Sequence, residues 1–232
     1  MSPSVIVVGA GLSGLACARR LADEGVDVVV VEARDRVGGR TLSRRHRGAV
    51  FDHGGQWIGP SQHRVQRLAS ELGLGTFPQF HDGAKVVRVG ERIRTYRGAI
   101  PRVGLGALLA IELGLRRLDR RAAGVPLDAP LLTDDGAGTD RTTLADLRDR
   151  LVPHRDARAL FDVAVRTVFG AESQQLSALY FMFYANSGGG FRRLVEIEHG
   201  AQESRFVEGA QALSERLADR LGRERIRLSF PV

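Results

Sequence analysis

The stretch that organises this chain is residues 5–32, VIVVGAGLSGLACARRLADEGVDVVVVE. Two apolar runs, Val5–Val8 and Val28–Val31, flank a glycine-rich turn and a helical pattern that ends near Glu24. Short runs of β-branched residues are typical of buried strands, and apolar residues at helical spacing indicate a helix between them. We therefore predict a strand, a turn, a helix and a second strand, with the carboxylate of Glu32 at the tip of the second strand.

The glycine turn has the G-x-G-x-x-G spacing, in which each glycine has a physical task. Gly9 permits the tight turn, Gly11 lets the backbone approach a pyrophosphate, and Gly14 lets the helix pack closely on the strands. The first N–H groups of the helix then face the anion, and the carboxylate of Glu32 accepts the ribose hydroxyls of an adenosine. The spacing alone is a weak signal. With both strands, the helix and the acid in place, it predicts dinucleotide binding rather than a purely structural turn.

Two further glycine-rich segments follow Glu32: ARDRVGGRT at residues 33–41 and FDHGGQWIGP at residues 51–60. A nicotinamide-binding unit has no need of the first of them. A longer cofactor lying across the sheet needs close backbone approach, which Gly38 and Gly39 allow, and a cation near its phosphates, which Arg40 supplies. Three such turns within the first 60 residues favour one extended ligand.

The composition is that of an ordinary globular protein, with 232 residues of which 43% are hydrophobic and 26% charged. The formal net charge of +7 comes from 34 basic and 27 acidic residues, and the arginines are spread along the chain instead of clustered. Nucleic-acid binding favours a basic stripe with interleaved aromatic residues, and aromatic residues make up only 6% of this chain. We therefore predict no nucleic-acid partner.

Cys17 is the only cysteine, which excludes an internal disulfide and a cysteine-based metal cluster. It lies among Leu15, Ala16 and Ala18 of the predicted first helix, where we expect a small buried thiol. The six histidines show no metal-ligand spacing, so no metal site is predicted. No apolar run approaches the length of a membrane span, and Val5 follows too soon after the N-terminus for a signal peptide. These features predict a cytoplasmic protein without a membrane partner.

The rest of the chain is dominated by helical patterns. The predicted elements are a helix over 63–74, a hairpin over 85–96, a helix from Pro101 to Leu118, a connecting loop over 124–139, helices starting near Thr143 and over 156–168, a helix over 213–221 and a strand beginning at Ile226. The aromatic cluster at 180–184 is expected to be helix core. We divide the chain into a first nucleotide-binding segment at 1–75, a mainly helical domain at 76–198 and a return segment at 199–232.

The three glycine-rich segments together resemble the N-terminal FAD region of the flavin-dependent amine oxidases, the group that includes monoamine oxidases and bacterial putrescine oxidases. Stretches 176–184 and 200–209 resemble the substrate domain of that family and its return to the FAD domain. Carotenoid desaturases and porphyrinogen oxidases share the opening motifs, but 54–59 and 200–209 are closer to the amine oxidase branch. The fold implied is α/β: an incomplete Rossmann-like FAD-binding domain with a mainly helical substrate domain inserted into it.

The resemblance implies FAD as the cofactor, with a small-molecule amine and O2 as the reactants. In that family an amine C–H bond is oxidised by hydride transfer to the flavin, the imine is hydrolysed, and O2 reoxidises the flavin to give peroxide. The cofactor supplies this organic chemistry. The protein's share is to hold the amine over the flavin ring and to exclude competing water.

The resemblance also implies roles for individual residues. The implied cofactor-binding residues are Gly9, Gly11, Ser13 and Gly14 at the pyrophosphate, Glu32 at the adenosine ribose, Arg34, Gly39 and Arg40 along the phosphate and ribityl path, and Gly55, Gln56 and Trp57 near the flavin ring. The implied substrate-cavity residues are Thr167, Val168, Leu194 and Gln202. Apolar packing explains Val168 and Leu194 equally well.

The resemblance covers essentially all of this chain but only about half of the family's length. The lysine that bridges through water toward flavin N5, and the aromatic pair beside the substrate amine, belong to the other half, so the catalytic residues stay unassigned. Lys85, the only lysine, matches no such motif. We therefore expect either a truncated N-terminal portion of the enzyme or one subunit that a second chain completes. The expected partner is a C-terminal chain or, in a homo-oligomer, a second copy of this chain.

The predicted terminal strand has no strand after it to pair with. An unpaired strand would leave sheet edges and apolar faces exposed. We therefore expect the isolated chain to aggregate or to associate with a partner.

Two other functions stay open at this point. One is a non-catalytic FAD- or nucleotide-binding module, since the residues that place substrate against the flavin are missing. The other is an NAD-dependent dehydrogenase, which the sequence Arg36-Val37-Gly38-Gly39-Arg40 disfavours.

Overall fold

The computed structural model describes residues 4–89, 91–97 and 103–232. Its strands are β1 (Val5–Val8), β2 (Val28–Val31), β3 (Ser43–His46), β4 (Ala49–Asp52), β5 (Trp57–Ile58), β6 (Thr76–Pro78), β7 (Lys85–Val89), β8 (Arg92–Tyr96), β9 (Ser204–Phe206) and β10 (Ile226–Arg227). Its α-helices are α1 (Leu12–Asp23), α2 (His63–Glu71), α3 (Leu105–Ala123), α4 (Gly136–Arg141), α5 (Leu144–Leu151), α6 (Arg155–Phe169), α7 (Ala178–Ser187), α8 (Phe191–Val195) and α9 (Ala212–Leu221).

The chain folds into two compact units. The first comprises Met1–Gln79 and Glu203–Val232, and the second comprises Phe80–Gln202. The first unit holds the β-α-β stretch with which the sequence opens, and the second holds helices α3–α8 with the β7–β8 hairpin.

The first unit is built on a parallel sheet of order β1-β2-β10. Val5 pairs with Val28 and Val8 with Val31, so the two apolar runs of the opening stretch lie side by side. The helix between them is α1, which confirms the predicted strand, turn, helix and strand. One face of the sheet is covered by α1 and α9, whose buried residues form the core of this unit together with Val28 and Val30.

The opposite face of β1 is open. Ile6 and Val8, which alternate with the inward-facing Val5 and Val7, are 60% and 67% exposed. Side chains along a strand alternate between the two faces of its sheet, so both apolar residues lie on the face that α1 and α9 leave uncovered. This pair of residues, Ile6 and Val8, is called the open face of β1 below.

Two expectations about the first unit are wrong. The terminal strand does not lack a neighbour, because Ile226 and Arg227 of β10 pair in parallel with Val30 and Val31 of β2. The thiol of Cys17 is exposed rather than buried. The apolar residues around Cys17 suggested burial. The buried face of α1 contains Leu15 and Ala18, however, and Cys17 lies on the other side of the helix.

Antiparallel pairs complete the first unit. β3 and β4 form a hairpin, and a three-stranded sheet has the order β5-β9-β6. In the three-stranded sheet, β9 belongs to the return segment. It lies between β5 and β6, which precede it in the chain by more than a hundred residues. The first and last parts of the unit are therefore joined by backbone hydrogen bonds as well as by the helix core.

The second unit packs its helices around three phenylalanine rings. The rings of Phe161, Phe181 and Phe191 are almost fully buried, and their centroids lie 4.9 to 5.8 Å apart. The aromatic cluster of α7 is thus core only in part, because Tyr180 and Tyr184 are 47% and 36% exposed.

The helix boundaries of the second unit follow their capping residues. Thr143 caps α5, accepting a hydrogen bond from the Asp146 amide, and α6 ends at Gly170 in the left-handed conformation. These helices, the β7–β8 hairpin, α2 and α9 confirm the predicted elements. The helix predicted from Pro101 to Leu118 begins at Leu105 and ends at Ala123, and Pro101 lies outside the described residues. The predicted loop at 124–139 contains a 3-10 turn and the start of α4.

A buried ion-pair network joins α5 to α6. The side chain of Arg148 is 9% exposed, donates to both carboxylate oxygens of Asp162, and donates to Asp149 at 2.8 Å. Ser173 donates to the same Asp162 carboxylate at 2.6 Å. Burial acts to lower the pKa of Arg148, but the hydrogen bonds to Asp162 and Asp149 outweigh it and raise that pKa above its usual value.

Within the part of the chain that the structure describes, every helix is too short or too polar to cross a membrane.

Replacing the buried cation tests whether this network stabilises the second unit. Arg148→Met keeps most of the packing but leaves the carboxylate of Asp162 without its cation, so the free energy of unfolding should fall by about 3 kcal/mol. Arg150→Met, on the exposed side of the same helix, should change it by less than about 0.5 kcal/mol. Urea unfolding followed by circular dichroism measures both. Equal losses in the two variants would contradict the prediction.

Candidate functional site

The first glycine turn connects β1 to α1 and depends on two of its glycines. Gly9 has φ +98°, a conformation that residues with a side chain rarely adopt, and its amide donates to the Val31 carbonyl at 2.7 Å. A methyl group on Gly14 would overlap the Gly9 carbonyl oxygen. Gly9 therefore makes the turn, and Gly14 lets the helix start directly against it.

The N-terminus of α1 has the features of an anion-binding site. Among the described residues no side chain caps this helix, whose N-cap is Gly11, and its first turn carries no acidic residue. The first N–H groups of a helix have no partner within the helix, and its dipole adds positive potential there. Ser13 lies exposed in this first turn. A diphosphate is the kind of ligand that such a terminus binds.

The second glycine turn lies directly against the first. The Gly38 amide donates to the Ala10 carbonyl at 2.9 Å. Gly39 has φ +54°, and a methyl group on it would lie 3.2 Å from the Gly11 Cα. A methyl group on Gly11 would lie 3.8 Å from the Gly39 Cα and would meet nothing closer. The two turns therefore touch backbone to backbone, and the structure brings Gly11 and Gly39 together as one cradle.

Glu32 links the tip of β2 to both turns. It is 6% exposed, and its two carboxylate oxygens accept hydrogen bonds from the amides of Ala10 at 2.8 Å and Arg34 at 2.9 Å. Each carboxylate oxygen has a second acceptor position, so Glu32 can still accept hydroxyl groups of a ligand. The sequence predicted only that second role, and the structure adds the first.

The three arginines of the second turn have different surroundings: one forms hydrogen bonds with the backbone of the turn, and the other two are exposed. Arg36 donates to the carbonyls of Thr41 at 3.0 Å and of Gly39 at 3.1 Å, which holds the turn from within. Arg34 and Arg40 are exposed beside it. Sequence reasoning assigned roles to Arg34 and Arg40 and missed Arg36, because three arginines in one turn give no signal of which one points inward.

The third glycine segment packs on the second. A methyl group on Gly54 would overlap the Arg40 carbonyl oxygen, and the Gly55 amide donates to that same carbonyl at 3.1 Å. Gln56 is half-buried, and Trp57 is 38% exposed with its indole N–H donating to the Gln79 side chain at 3.0 Å. Gly54 therefore serves contact between turns, whereas Gly55 has only ordinary contact around it.

The predicted substrate-cavity residues all lie in the second unit. Thr167 is an exposed residue, and its hydroxyl donates to the Val163 carbonyl at 2.9 Å. Val168 packs half-buried against the helical core, of which Leu194 is a member. Gln202 donates to the Leu194 carbonyl at 3.3 Å, so the structure brings these two residues together.

A parallel β-α-β unit with interlocked glycine turns and an inward carboxylate defines the class of dinucleotide-binding α/β proteins. Within that class, this chain belongs to the flavin-containing amine oxidoreductase family, because the model of that family matches residues 12–232. The predicted resemblance is thereby confirmed.

Two relatives illustrate the match in sequence. The putative flavin-containing monoamine oxidase AofH of Mycobacterium tuberculosis is 38% identical over 218 residues, which cover 94% of this chain and 48% of that protein. The flavin-containing amine oxidase B of Homo sapiens is 37% identical over 230 residues, which cover 98% of this chain and 44% of that protein.

Solved structures give the same result for the fold. Cyclohexylamine oxidase from Brevibacterium oxydans IH-35A superposes with a TM-score of 0.91 at 32% identity, over 100% of this chain and 52% of that one. A wild-type putrescine oxidase bound to putrescine superposes with a TM-score of 0.88 at 30% identity, over 99% of this chain and 51% of that one. The fold is that of the flavin amine oxidases, and the chain spans about half the length of the relatives that it matches.

The two glycines of the first turn should respond differently to a methyl group. Gly14→Ala overlaps the Gly9 carbonyl and should lower the free energy of unfolding by more than about 2 kcal/mol. Gly11→Ala meets only ordinary contact and should change it by less than about 1 kcal/mol. Thermal and urea unfolding of both variants measure the difference. Similar losses in the two variants would show that the turn is not packed as described.

Proposed function

We propose that this chain supplies the FAD-binding portion of an amine oxidase that converts a small-molecule amine to an imine, with O2 as the electron acceptor and peroxide as the product. The observation that carries the proposal is the cradle of Gly11 and Gly39 beside the uncapped N-terminus of α1. A diphosphate is the group that fits backbone N–H donors approached by glycine alone. FAD, when bound, supplies the hydride-accepting chemistry.

The residues of the first unit would share the work of holding the cofactor. Gly9, Gly11, Ser13 and Gly14 bind the pyrophosphate, and Glu32 accepts the hydroxyls of the adenosine ribose. The remaining assignments are Arg34, Gly39 and Arg40 along the phosphate and ribityl path, and Gly55, Gln56 and Trp57 near the flavin ring. Support comes from the exposure of Arg34 and Arg40 and from the second acceptor positions of the Glu32 carboxylate oxygens.

The second unit would supply part of the amine site. Thr167, Val168, Leu194 and Gln202 are the residues proposed to line it. Their share is to position the amine, preferably in its neutral form, and to exclude competing water. The division of the chain near residues 79 and 202 supports a substrate domain at 76–198 between two nucleotide-binding segments at 1–75 and 199–232.

The complete enzyme includes a further segment in this proposal, either of the same polypeptide or of a C-terminal partner chain. Relatives are about twice as long as the stretch matched here, and the open face of β1 is the kind of surface that another layer covers. That segment would carry the catalytic residues. A homo-oligomer is the other way to cover the open face.

Cofactor binding by this chain tests the first part of the proposal. The purified chain should bind FAD and retain it through gel filtration, with the flavin fluorescence quenched. Gly11→Ala places a methyl group in the cradle without a clash in the protein, so it should weaken FAD binding by about tenfold or more, or about 1.4 kcal/mol. Wild-type affinity in this variant would show that FAD does not lie against Gly11.

Turnover tests the second part. The chain mixed with FAD, a purified C-terminal segment and an amine such as putrescine or cyclohexylamine should lose the flavin's visible absorbance without air and regain it on aeration. Binding of FAD without any such bleaching would favour the alternative of a non-catalytic FAD-binding module.

The open face of β1 predicts how the isolated chain behaves. Replacing Ile6 and Val8 together with threonine keeps the strand propensity and removes exposed apolar surface, so self-association should fall. Val7→Thr is the matched control: it buries a hydroxyl on the covered face and should lower stability by about 1 to 2 kcal/mol without reducing self-association. Light scattering and size exclusion give the masses. Association that is unchanged in the double variant would contradict the role of this face.

A further inference from the structure

Gln211, the residue before α9, holds both ends of the second glycine turn. Its side-chain N–H donates to the Val37 carbonyl at 2.9 Å, and its side-chain oxygen accepts from the Ser43 amide at 2.8 Å. Residues 38–42 lie between these two contacts. Gln211 is 8% exposed; its hydrogen bond to Val37 is buried, and the one from the Ser43 amide is partly buried. One side chain from a distant part of the sequence thus closes the turn from outside.

The backbone of Gln211, whose side chain is called the clamp below, is held in place by further hydrogen bonds. The Gln211 amide donates to the Ser43 hydroxyl at 3.1 Å, and that hydroxyl donates to the Asp52 carboxylate at 2.6 Å. The Ala210 amide donates to the same carboxylate at 3.0 Å. The side chain of Asp52 is 1% exposed, so its interactions are made inside the protein. Gln211 therefore enters the turn from a fixed backbone position.

The chemistry of an amide is what this position requires. The Val37 carbonyl needs a donor and the Ser43 amide needs an acceptor, and glutamine supplies both from one planar group. Glutamate has no donor for the Val37 carbonyl, which would keep only the hydrogen bond from Arg36 at 3.2 Å. An apolar side chain would in addition remove the acceptor of the Ser43 amide. Packing adds to the clamp, because a methyl group on Gly38 would lie 3.0 Å from the Gln211 Cγ.

The turn that Gln211 closes contains two glycines in left-handed conformations, and the bonds of Arg36 and Thr41 within the turn do not tie it to α9. Gly38 has φ +112° and Gly39 φ +54°, and glycine loses more conformational freedom on ordering than any other residue. If the turn is already ordered before the ligand binds, binding does not have to offset the loss of conformational entropy. The same ordered backbone is the one that sets Gly39 against Gly11.

We propose that Gln211 is a positioning residue for the cofactor. Its side-chain amide fixes residues 38–42 in the conformation in which the second turn meets the first and completes the diphosphate cradle. The inference rests on the proposed function for the identity of the ligand, and on the hydrogen bonds of Gln211 for the fixing of the turn. Gln211 touches no part of the cradle itself, so it acts through the turn.

The test uses the full chain with two variants of α9 and its N-cap. Gln211→Met removes the hydrogen bonds to Val37 and Ser43, together with the 3.3 Å bond to Glu215, at nearly constant volume. Arg216→Met is the matched control, because Arg216 also ties this helix to backbone carbonyls, those of Leu72 at 2.6 Å and Gly73 at 3.0 Å, but makes no contact with the turn among the contacts that the structure describes. Both variants therefore lose long-range contacts of one helix, and only one of them loses the clamp.

The first readout is amide hydrogen exchange without ligand. The amides of Gly38 and Thr41 donate to the Ala10 and Gly38 carbonyls and not to Gln211. Their protection from exchange therefore measures how well the turn is ordered. Their exchange should quicken by about tenfold in Gln211→Met and stay at the wild-type rate in Arg216→Met. Equal exchange in the two variants overturns the positioning role, whatever the affinities.

The second readout is affinity for ADP, which carries the adenosine and diphosphate parts of FAD. Gln211→Met should bind ADP about tenfold more weakly than Arg216→Met, since the turn must then be ordered on binding. Equal affinities overturn the link to the cofactor. A wild-type chain that binds neither ADP nor FAD overturns the proposed function instead, and the exchange comparison still decides whether Gln211 fixes the turn.

A third variant, Gln211→Glu, guards against misfolding of Gln211→Met. It keeps the acceptor for the Ser43 amide but loses the donor to the Val37 carbonyl and the 3.3 Å hydrogen bond to the Glu215 carboxylate, so the Ser43 amide should stay protected while those of Gly38 and Thr41 exchange faster. Protection of all three amides at the wild-type level would overturn the proposal.

Discussion

Two glycine turns that touch backbone to backbone are the contact on which the rest of the site depends. The Gly38 amide bonds the Ala10 carbonyl, and Gly39 approaches Gly11 closely enough that a side chain on Gly39 would crowd it. This contact fixes the distance between the helix N-terminus and the arginines of the second turn. The carboxylate of Glu32 and the inward guanidinium of Arg36 also form hydrogen bonds with the backbone of these turns.

The local parts of the fold could be predicted from the sequence, and the distant pairings could not. β1, α1 and β2 follow from apolar runs and glycine spacing, and α5 follows from its capping threonine, because these signals lie within a few residues of the element they define. The pairing of β10 with β2 was missed, since a two-residue strand has no period of its own and its partner lies far back in the sequence. The exposure of Cys17 was missed because composition does not determine which way a helix turns.

The candidate site shows the same division. Gly9, Gly14 and Glu32 could be found from spacing, because their tasks are steric or lie at the end of an apolar strand. Arg36 and Gln211 could not, since both bind backbone carbonyls, and every residue of a chain offers one of those. A side chain that binds backbone groups requires no particular residue type in its partner, so its role leaves no pattern in the sequence.

The place of β9 between β5 and β6 has a consequence for how the polypeptide is made. A strand that is translated late must enter a gap between two strands translated early, which is a pairing of high sequence separation and hence slow to form. At ordinary rates of synthesis the inserted helices occupy the ribosome for on the order of ten seconds, during which β5 and β6 present open edges in the nascent chain. Until β9 is translated, β5 and β6 therefore lack the strand that pairs with both of them.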